Sequence, residues 1–173
     1  DHNNRILVNQ GLARIRVGRA VPGISALFNQ ARRSVARAVS TDLGFVAGPR
    51  LNAAGRLEDM SIGIECLLTD DASAAARFAA QLDEINRARK DIEARMREEA
   101  FAYVDTMDAR NLPPCVCLYD DSWHQGVVGL IAARVRERCD RPVIAFAREE
   151  DGLLKGSARS ISGVHVRDLL EAV

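Results

Sequence analysis

The chain has 173 residues, 47% hydrophobic and 28% charged, enough for one large domain or two small ones with buried cores. Its 24 basic and 24 acidic residues cancel, so a nucleic-acid role would have to rest on a local patch and not on overall charge. There is no signal-peptide pattern and no apolar run near roughly 18 residues, which excludes a membrane-spanning helix from this stretch.

In chain order, residues 3–17 place Ile6, Leu7, Leu12 and Ile15 at helical spacing, with Arg5, Arg14 and Arg16 outside. "VPGISALFNQARRSVARAV" follows, with Pro22 as a helix opener. "VSTDLGFVAGPRLNAAGRLEDM" is too glycine-rich for a plain helix and too apolar for a solvated loop. Residues 71–108 are the most regular element, with Phe78, Leu82, Ile85, Ile92, Met96, Tyr103 and Met107 recurring at three, four and seven. Asp71 or Ser73 can cap this helix. A helix of that length spans about 57 Å, longer than a small domain, so it runs between two lobes or forms a coiled-coil arm.

After Pro113-Pro114 the texture changes. "CVCLYD" reads as a strand, "HQGVVGLIAARVRERC" as a helix, "RPVIAFARE" as a strand, "DGLLKGSARSIS" as a turn and strand, and "GVHVRDLLEAV" as a last helix. The β-α-β-β-α order is that of a small α/β (α+β) layer domain, with a boundary near 109–113. Cys115 and Cys117 share one strand face, and "C-V-C" lacks the spacer and second pair of a zinc site; with Cys66 and Cys139 they read as reduced core thiols.

Three constellations could carry chemistry. In "GPRLNAAGR", Arg50 and Arg56 flank Asn52 among small residues: either a phosphate-binding turn or a tight inter-helix turn with two surface arginines. In "LLKGSARSIS", Lys155, Ser157 and Arg159 alternate onto one strand face and form an anion clamp, while the small residues Gly156, Ala158 and Ser160 form a closely packed back face. In "DSWHQGVVGLIAARV", Ser122 is a plausible N-cap, with Trp123, His124 and Gln125 in the first turn. Gly126 and Gly129 there would let a strand or phosphate approach the positive helix start. Trp123 and His124 either touch substrate or are structural. The sequence has no D-x-D, no H-E-x-x-H and no adjacent histidine pair, and Asp1-His2 stands without a further carboxylate to complete a metal site.

Taken together, "GPRLNAAGRLEDMS", "WHQGVVGLIAARVRERCDRPVIAFA" and "LKGSARSISGVHVRDLL" closely resemble the bacterial RecJ single-stranded-DNA exonucleases of the DHH phosphoesterase superfamily, over essentially the whole chain. The resemblance implies degradation of single-stranded DNA from the 5′ end in recombination and repair. It implies two manganese or magnesium ions held in a DHH domain, and a long helix joining that domain to a DHH-associated domain, with DNA in the cleft between them. It also implies a cytoplasmic monomer, with a single-strand-binding protein and a helicase as partners. By position, Arg50, Asn52, Arg56, Trp123, His124, Lys155, Ser157 and Arg159 become the DNA-phosphate-binding residues. Ala158 departs from the pattern, since many relatives have Gly there.

The chain thus reads as a fragment: 1–69 the C-terminal helical part of the DHH domain, 70–109 the connecting helix, 110–173 the first part of the associated domain. The metal-ligand motifs would lie outside it, so the expectation is no bound metal, no catalytic residue and no nuclease activity for this piece alone. The alternatives are a DHH-superfamily phosphoesterase of short or cyclic nucleotides, or a non-catalytic interaction module built on the long helix.

Overall fold

A computed structural model describes residues 2–108, 112–149 and 151–172. The chain divides into two compact units, Asp1–Arg89 and Lys90–Val173. Asp1 of the Asp-His pair and residues 109–111 of the expected boundary lie outside the described residues.

The first unit is helical. α1 (His2–Arg16) buries Leu12 and Ile15, and α2 (Pro22–Gln30) opens on its proline and buries Leu27 and Phe28. The sequence suggests that α2 continues toward Val39, but it ends at Gln30. Arg32 adopts a left-handed φ of 55°, which no helix interior accepts. A 3₁₀ turn at Val35–Arg37 then follows. It is held by Arg16 Nε, which donates to the Ala38 carbonyl at 2.8 Å.

The glycine-rich stretch is helical from Ser40 to Leu57. α3 (Ser40–Asp42) passes into a π-turn at Leu43–Ala47 and then into α4 (Gly48–Leu57). Pro49 explains the change of pitch. It has no N–H to donate, and in a straight α-helix its ring would press on the carbonyl four residues back. The wider turn relieves this, with the Gly48 N–H donating to the Leu43 carbonyl five residues earlier. A Cβ at Gly48 would stand 3.1 Å from that oxygen, so a glycine suits the turn. α5 (Ser61–Leu68) completes the unit, and Leu27, Ala54, Cys66, Ala79 and Leu82 form its main core cluster.

α6 (Ala72–Asp105) is the long helix its periodicity predicts, and the two units divide within it, after Arg89. Its buried stripe runs Ala75, Ala79, Leu82, Ile85, Met96, Ala100 and Val104. Tyr103, expected on that stripe, is 55% exposed; Ala100 and Val104 fill the positions that face inward.

The second unit holds a three-stranded sheet in the order β1 (Val116–Tyr119), β2 (Val143–Arg148), β3 (Leu154–Arg159). β1 and β2 are parallel, joined by α7 (Val128–Cys139), and β3 returns antiparallel. The β-α-β-β-α order closes with α8 (Val166–Glu171), so the molecule is α+β: helical, with a small mixed sheet. α7 packs on β2 and β3, and buries Val128, Ile131, Ala132 and Val135.

Candidate nucleic-acid interface

The register of β3 decides what the clamp residues face. Arg159 pairs with Val143, Ser157 with Ala145 and Lys155 with Ala147. Those three β2 residues are fully buried, on the face that α7 covers. Lys155, Ser157 and Arg159 therefore share one face, as alternation predicts, and it is the packed face. The small residues opposite are only partly packed as the sequence suggests: Gly156 and Ala158 are open to solvent, yet Gly156 lies against a ring of β2, and Ser160 is half-buried and accepts the Val166 N–H. Gly156 is small because it pairs with Phe146, whose ring would lie 2.6 Å from a Cβ there.

At the clamp, α7 approaches through Gly129. A Cβ on that residue would stand 2.9 Å from Ser157 Oγ and 3.0 Å from an Arg159 terminal nitrogen. The missing side chain thus lets the first turn of α7 meet a hydroxyl and a guanidinium. Arg159 donates to Ser157 Oγ at 3.1 Å and to the Ala158 carbonyl at 2.8 Å. No carboxylate pairs with Arg159 among the described residues. Lys155 differs, pairing with Glu149 at 3.1 Å and donating to Gln125 Oε1 at 3.1 Å.

Trp123 and His124 precede α7 instead of forming its first turn. The helix begins at Val128 with Val127 as its N-cap, because the Val127 and Val128 N–H groups turn back onto the His124 carbonyl. Ser122 is likewise not the cap. Its N–H and hydroxyl both donate to Asp120 Oδ1, at 2.8 and 2.6 Å, which holds the Asp120 carboxyl below the usual carboxylate range. Trp123 is 6% exposed and donates its indole N–H to Glu99 on α6 at 2.9 Å, which ties the loop after β1 to the helix. His124 is half-buried and its Nδ1 accepts the Gly126 N–H at 3.1 Å, so Nε2 carries the ring proton in the neutral form.

Arg50, Asn52 and Arg56 sit on α4, and the helix separates them. Arg50 is drawn inward: it pairs with the buried Asp83 of α6 at 2.7 Å and donates to the Val46 carbonyl at 2.8 Å. Its Nε is buried with no acceptor among the described residues. Asp83 takes Arg87 on its other oxygen at 2.6 Å, so one carboxylate holds two guanidiniums. Asn52 and Arg56 remain exposed.

Sequence reasoning did not identify Asp83 as the partner of Arg50, which is 33 positions away in the chain. It also missed a surface cluster at the end of β1 and β2. Arg148 there donates to Asp121 at 2.7 Å and to the Tyr119 hydroxyl at 2.8 Å, and Tyr119 donates to Asp121. These bonds lower the Asp121 carboxyl, the tyrosine bond most, and the bond to Asp121 raises the Tyr119 phenol. Among the described residues, no three of His, Cys, Asp and Glu are grouped to hold a metal ion, and no helix is long and apolar enough to cross a membrane.

Comparison with known proteins bears on what such a surface is for. Residues 112–173 match the DHHA1 domain family. Over 173 residues, 99% of this chain, the sequence is 53% identical to the single-stranded-DNA-specific exonuclease RecJ of Dickeya dadantii. It is 51% identical to the Escherichia coli K12 protein of the same name over the same share. In both cases the chain spans only 30% of the relative's length. The fold matches the crystal structure of Thermus thermophilus RecJ in complex with Mg2+, with a TM-score of 0.79 and 30% identity, over 97% of this chain and 25% of that one. It also matches a manganese-bound exonuclease RecJ, with a TM-score of 0.79 and 29% identity, over 97% of this chain and 40% of that one.

Proposed function

The chain belongs to the RecJ family, with a DHHA1 domain over residues 112–173, and we propose that it is the DNA-gripping part of a single-stranded-DNA-specific 5′→3′ exonuclease. In this reading residues 1–69 end the DHH domain, 70–109 form the connecting helix and 110–173 begin the DHH-associated domain. The magnesium or manganese named for the relatives is held by residues outside this chain, and the piece alone has no nuclease activity. The whole enzyme works in the cytoplasm as a monomer in recombination and repair, with a single-strand-binding protein and a helicase as partners.

The observation that carries the reading is the clamp on β3. Phosphate oxygens want donors with fixed directions and a cation not already spent on a carboxylate. Arg159 meets both conditions: it has no acidic partner among the described residues, and Ser157 and the Ala158 carbonyl hold its orientation. Gly129 brings the start of α7 against the same spot, where helix N–H groups add positive potential. His124 Nε2, Asn52 and Arg56 supply further polar contacts to the strand, and Lys155, paired with Glu149, supports the clamp. Arg50 and Trp123 act as supports, since each is engaged by a carboxylate of α6. Such contacts orient the strand for cleavage and carry no sequence information, which suits a nuclease that must digest any sequence.

Arg159→Ala in the intact exonuclease tests the proposal. The variant should bind single strands more weakly, and the slope of log affinity against log salt should fall by roughly 0.7, the single-strand value for one phosphate contact. An unchanged slope removes Arg159 from the phosphate path.

A further inference from the structure

Trp123 is the one tryptophan in the sequence and is 6% exposed within this stretch alone. Further chain can only deepen that burial, so the indole N–H has to find its acceptor inside the fold. The acceptor is Glu99 Oε2 of α6 at 2.9 Å, while Arg95, one turn earlier, stands 4.0 Å from the other oxygen. A hydrogen bond to a carboxylate is stronger than one between neutral groups, and a buried indole N–H deprived of it would regain nothing for the water it gave up. Glu99, Trp123, Gly129 and Arg159 all lie in the second unit.

The loop that Trp123 anchors leads straight into the clamp. Residues 120–127 join β1 to α7, and successive backbone bonds leave them little slack. The Trp123 N–H donates to the Asp120 carbonyl at 3.2 Å, the Val127 and Val128 N–H groups to the His124 carbonyl at 2.9 and 3.3 Å, and the Leu130 N–H to the Val127 carbonyl at 2.8 Å. Val127 and Val128 are buried, so apolar contact holds the start of α7 in the core. That attraction has no preferred direction, whereas the indole bond is directional and fixes the angle at which the chain enters the helix. Gly129 follows in the first turn, where a Cβ would stand 2.9 Å from Ser157 Oγ and 3.0 Å from an Arg159 terminal nitrogen. With a clearance that small in a closely packed interior, a small shift of the loop becomes a shift of the two phosphate-binding side chains.

We propose that Glu99 is a positioning residue for the phosphate clamp: by holding the Trp123 indole it fixes the first turn of α7, and through Gly129 the places of Ser157 and Arg159. The inference rests on the reading of β3 as a phosphate-binding clamp, and adds to it a carboxylate of α6 that acts without touching the strand. Its sign sets it apart from a plain charge effect. A negative charge in a domain that binds a polyanion ordinarily weakens binding, so deleting one should strengthen it. Positioning demands the opposite whenever the deletion also removes the acceptor.

Single-strand affinity is measured over a range of salt in the intact exonuclease for Glu99→Gln, Glu99→Leu, Trp123→Phe and Arg159→Ala, singly and in pairs. Gln keeps an acceptor for the indole and Leu does not, while both remove the charge. Glu99→Gln should bind like the parent or slightly tighter. Glu99→Leu should bind more weakly and lose part of the salt slope, up to the roughly 0.7 of one single-strand phosphate contact. The paired variants supply a readout that a merely stabilising role would not move. Glu99→Leu should add little to Arg159→Ala, because the clamp it positions is already gone, and little to Trp123→Phe, because the indole N–H is already gone. Parental affinity and slope in Glu99→Leu, an equal loss in Glu99→Gln, or a fully additive loss in the pair with Arg159→Ala would each overturn the positioning role. Parental affinity and slope in Arg159→Ala would instead bring down the phosphate reading itself, and the positioning role with it.

Discussion

α4 and β3 carry the same inventory, two cations and a neutral polar residue, yet their secondary structures dispose of it differently. Arg50 and Arg56 are six residues apart, which on a helix is about 240°, so one turns into α6 and the other outward. Lys155, Ser157 and Arg159 are two apart on a strand, so all three stay on one face. On α4 the inward arginine is spent on Asp83; on β3 the outer lysine is spent on Glu149, and Arg159 has no carboxylate partner among the described residues. Background charge sharpens the contrast. Residues 1–89 carry twelve arginines against nine carboxylates, and residues 90–173 carry twelve basic groups against fifteen acidic. Counting arginines in a motif overstates an anion site; what matters is how many the fold leaves without a carboxylate.

The contrast breaks most severely at Asp83. If Arg50 belongs to the framework, Asp83→Ala leaves a guanidinium that is 14% exposed without its counter-charge. Stability should then fall by on the order of 3 kcal/mol, as for other buried pairs broken on one side. Asp83→Leu combined with Arg50→Met should recover most of that loss, because both charges leave together. Urea unfolding of the single and double variants measures it; a double variant as unstable as Asp83→Ala would show that packing and not the ion pair seats α4.

The β3 side is challenged next by Gly129→Ala. The added methyl must displace Ser157 Oγ or the Arg159 fork, both within about 3 Å of it. Overpacking of this kind costs about 1–3 kcal/mol, and the far end of an arginine can give way, so the lower figure is expected. Binding should suffer more than stability, since the clamp moves while the core of Val128, Ile131 and Val135 is untouched. A chain whose single-strand affinity is parental despite the methyl would show that the α7–β3 approach serves packing alone.

The same contrast explains how much could be read from the sequence. Period-two and period-3.6 signals placed β1, β2, β3 and α6, and alternation alone put the three clamp residues on one face. What it could not supply were partners distant in sequence. The Asp83 that pairs with Arg50 and the Glu99 that accepts from Trp123 both lie on α6, 33 and 24 positions away in the chain, where no local pattern points to them. Local breaks were equally hidden: α2 stops before Arg32, which is neither Gly nor Asn, the usual signals of a left-handed residue. The π-turn was legible only as a conflict, a glycine-rich stretch too apolar to be a loop.

The smallest expected effect tests whether α4 depends on α6 more than β3 does. Asp71 precedes α6 and accepts the Ser73 N–H at 2.8 Å and its hydroxyl at 3.1 Å, and these bonds hold its carboxyl below the ordinary range. A carboxyl lowered on folding contributes stability that is present above its unfolded pKa, near 3.9, and is lost as pH falls through the folded value. Asp71→Asn keeps the cap's shape and removes the charge, so the parent should melt slightly higher near neutral pH and the gap should close in acid. The helix start that Asp71 charges lies in the first unit, with Ala75, Ala79 and Asp83 following on its buried stripe. Amides of α4 should therefore lose hydrogen-exchange protection in Asp71→Asn, relative to the parent at the same pH, while those of β3 do not. A melting gap that persists unchanged into acid would assign the cap to shape alone, and equal loosening of α4 and β3 would remove the distinction between a framework arginine and a clamp arginine that the two segments otherwise draw.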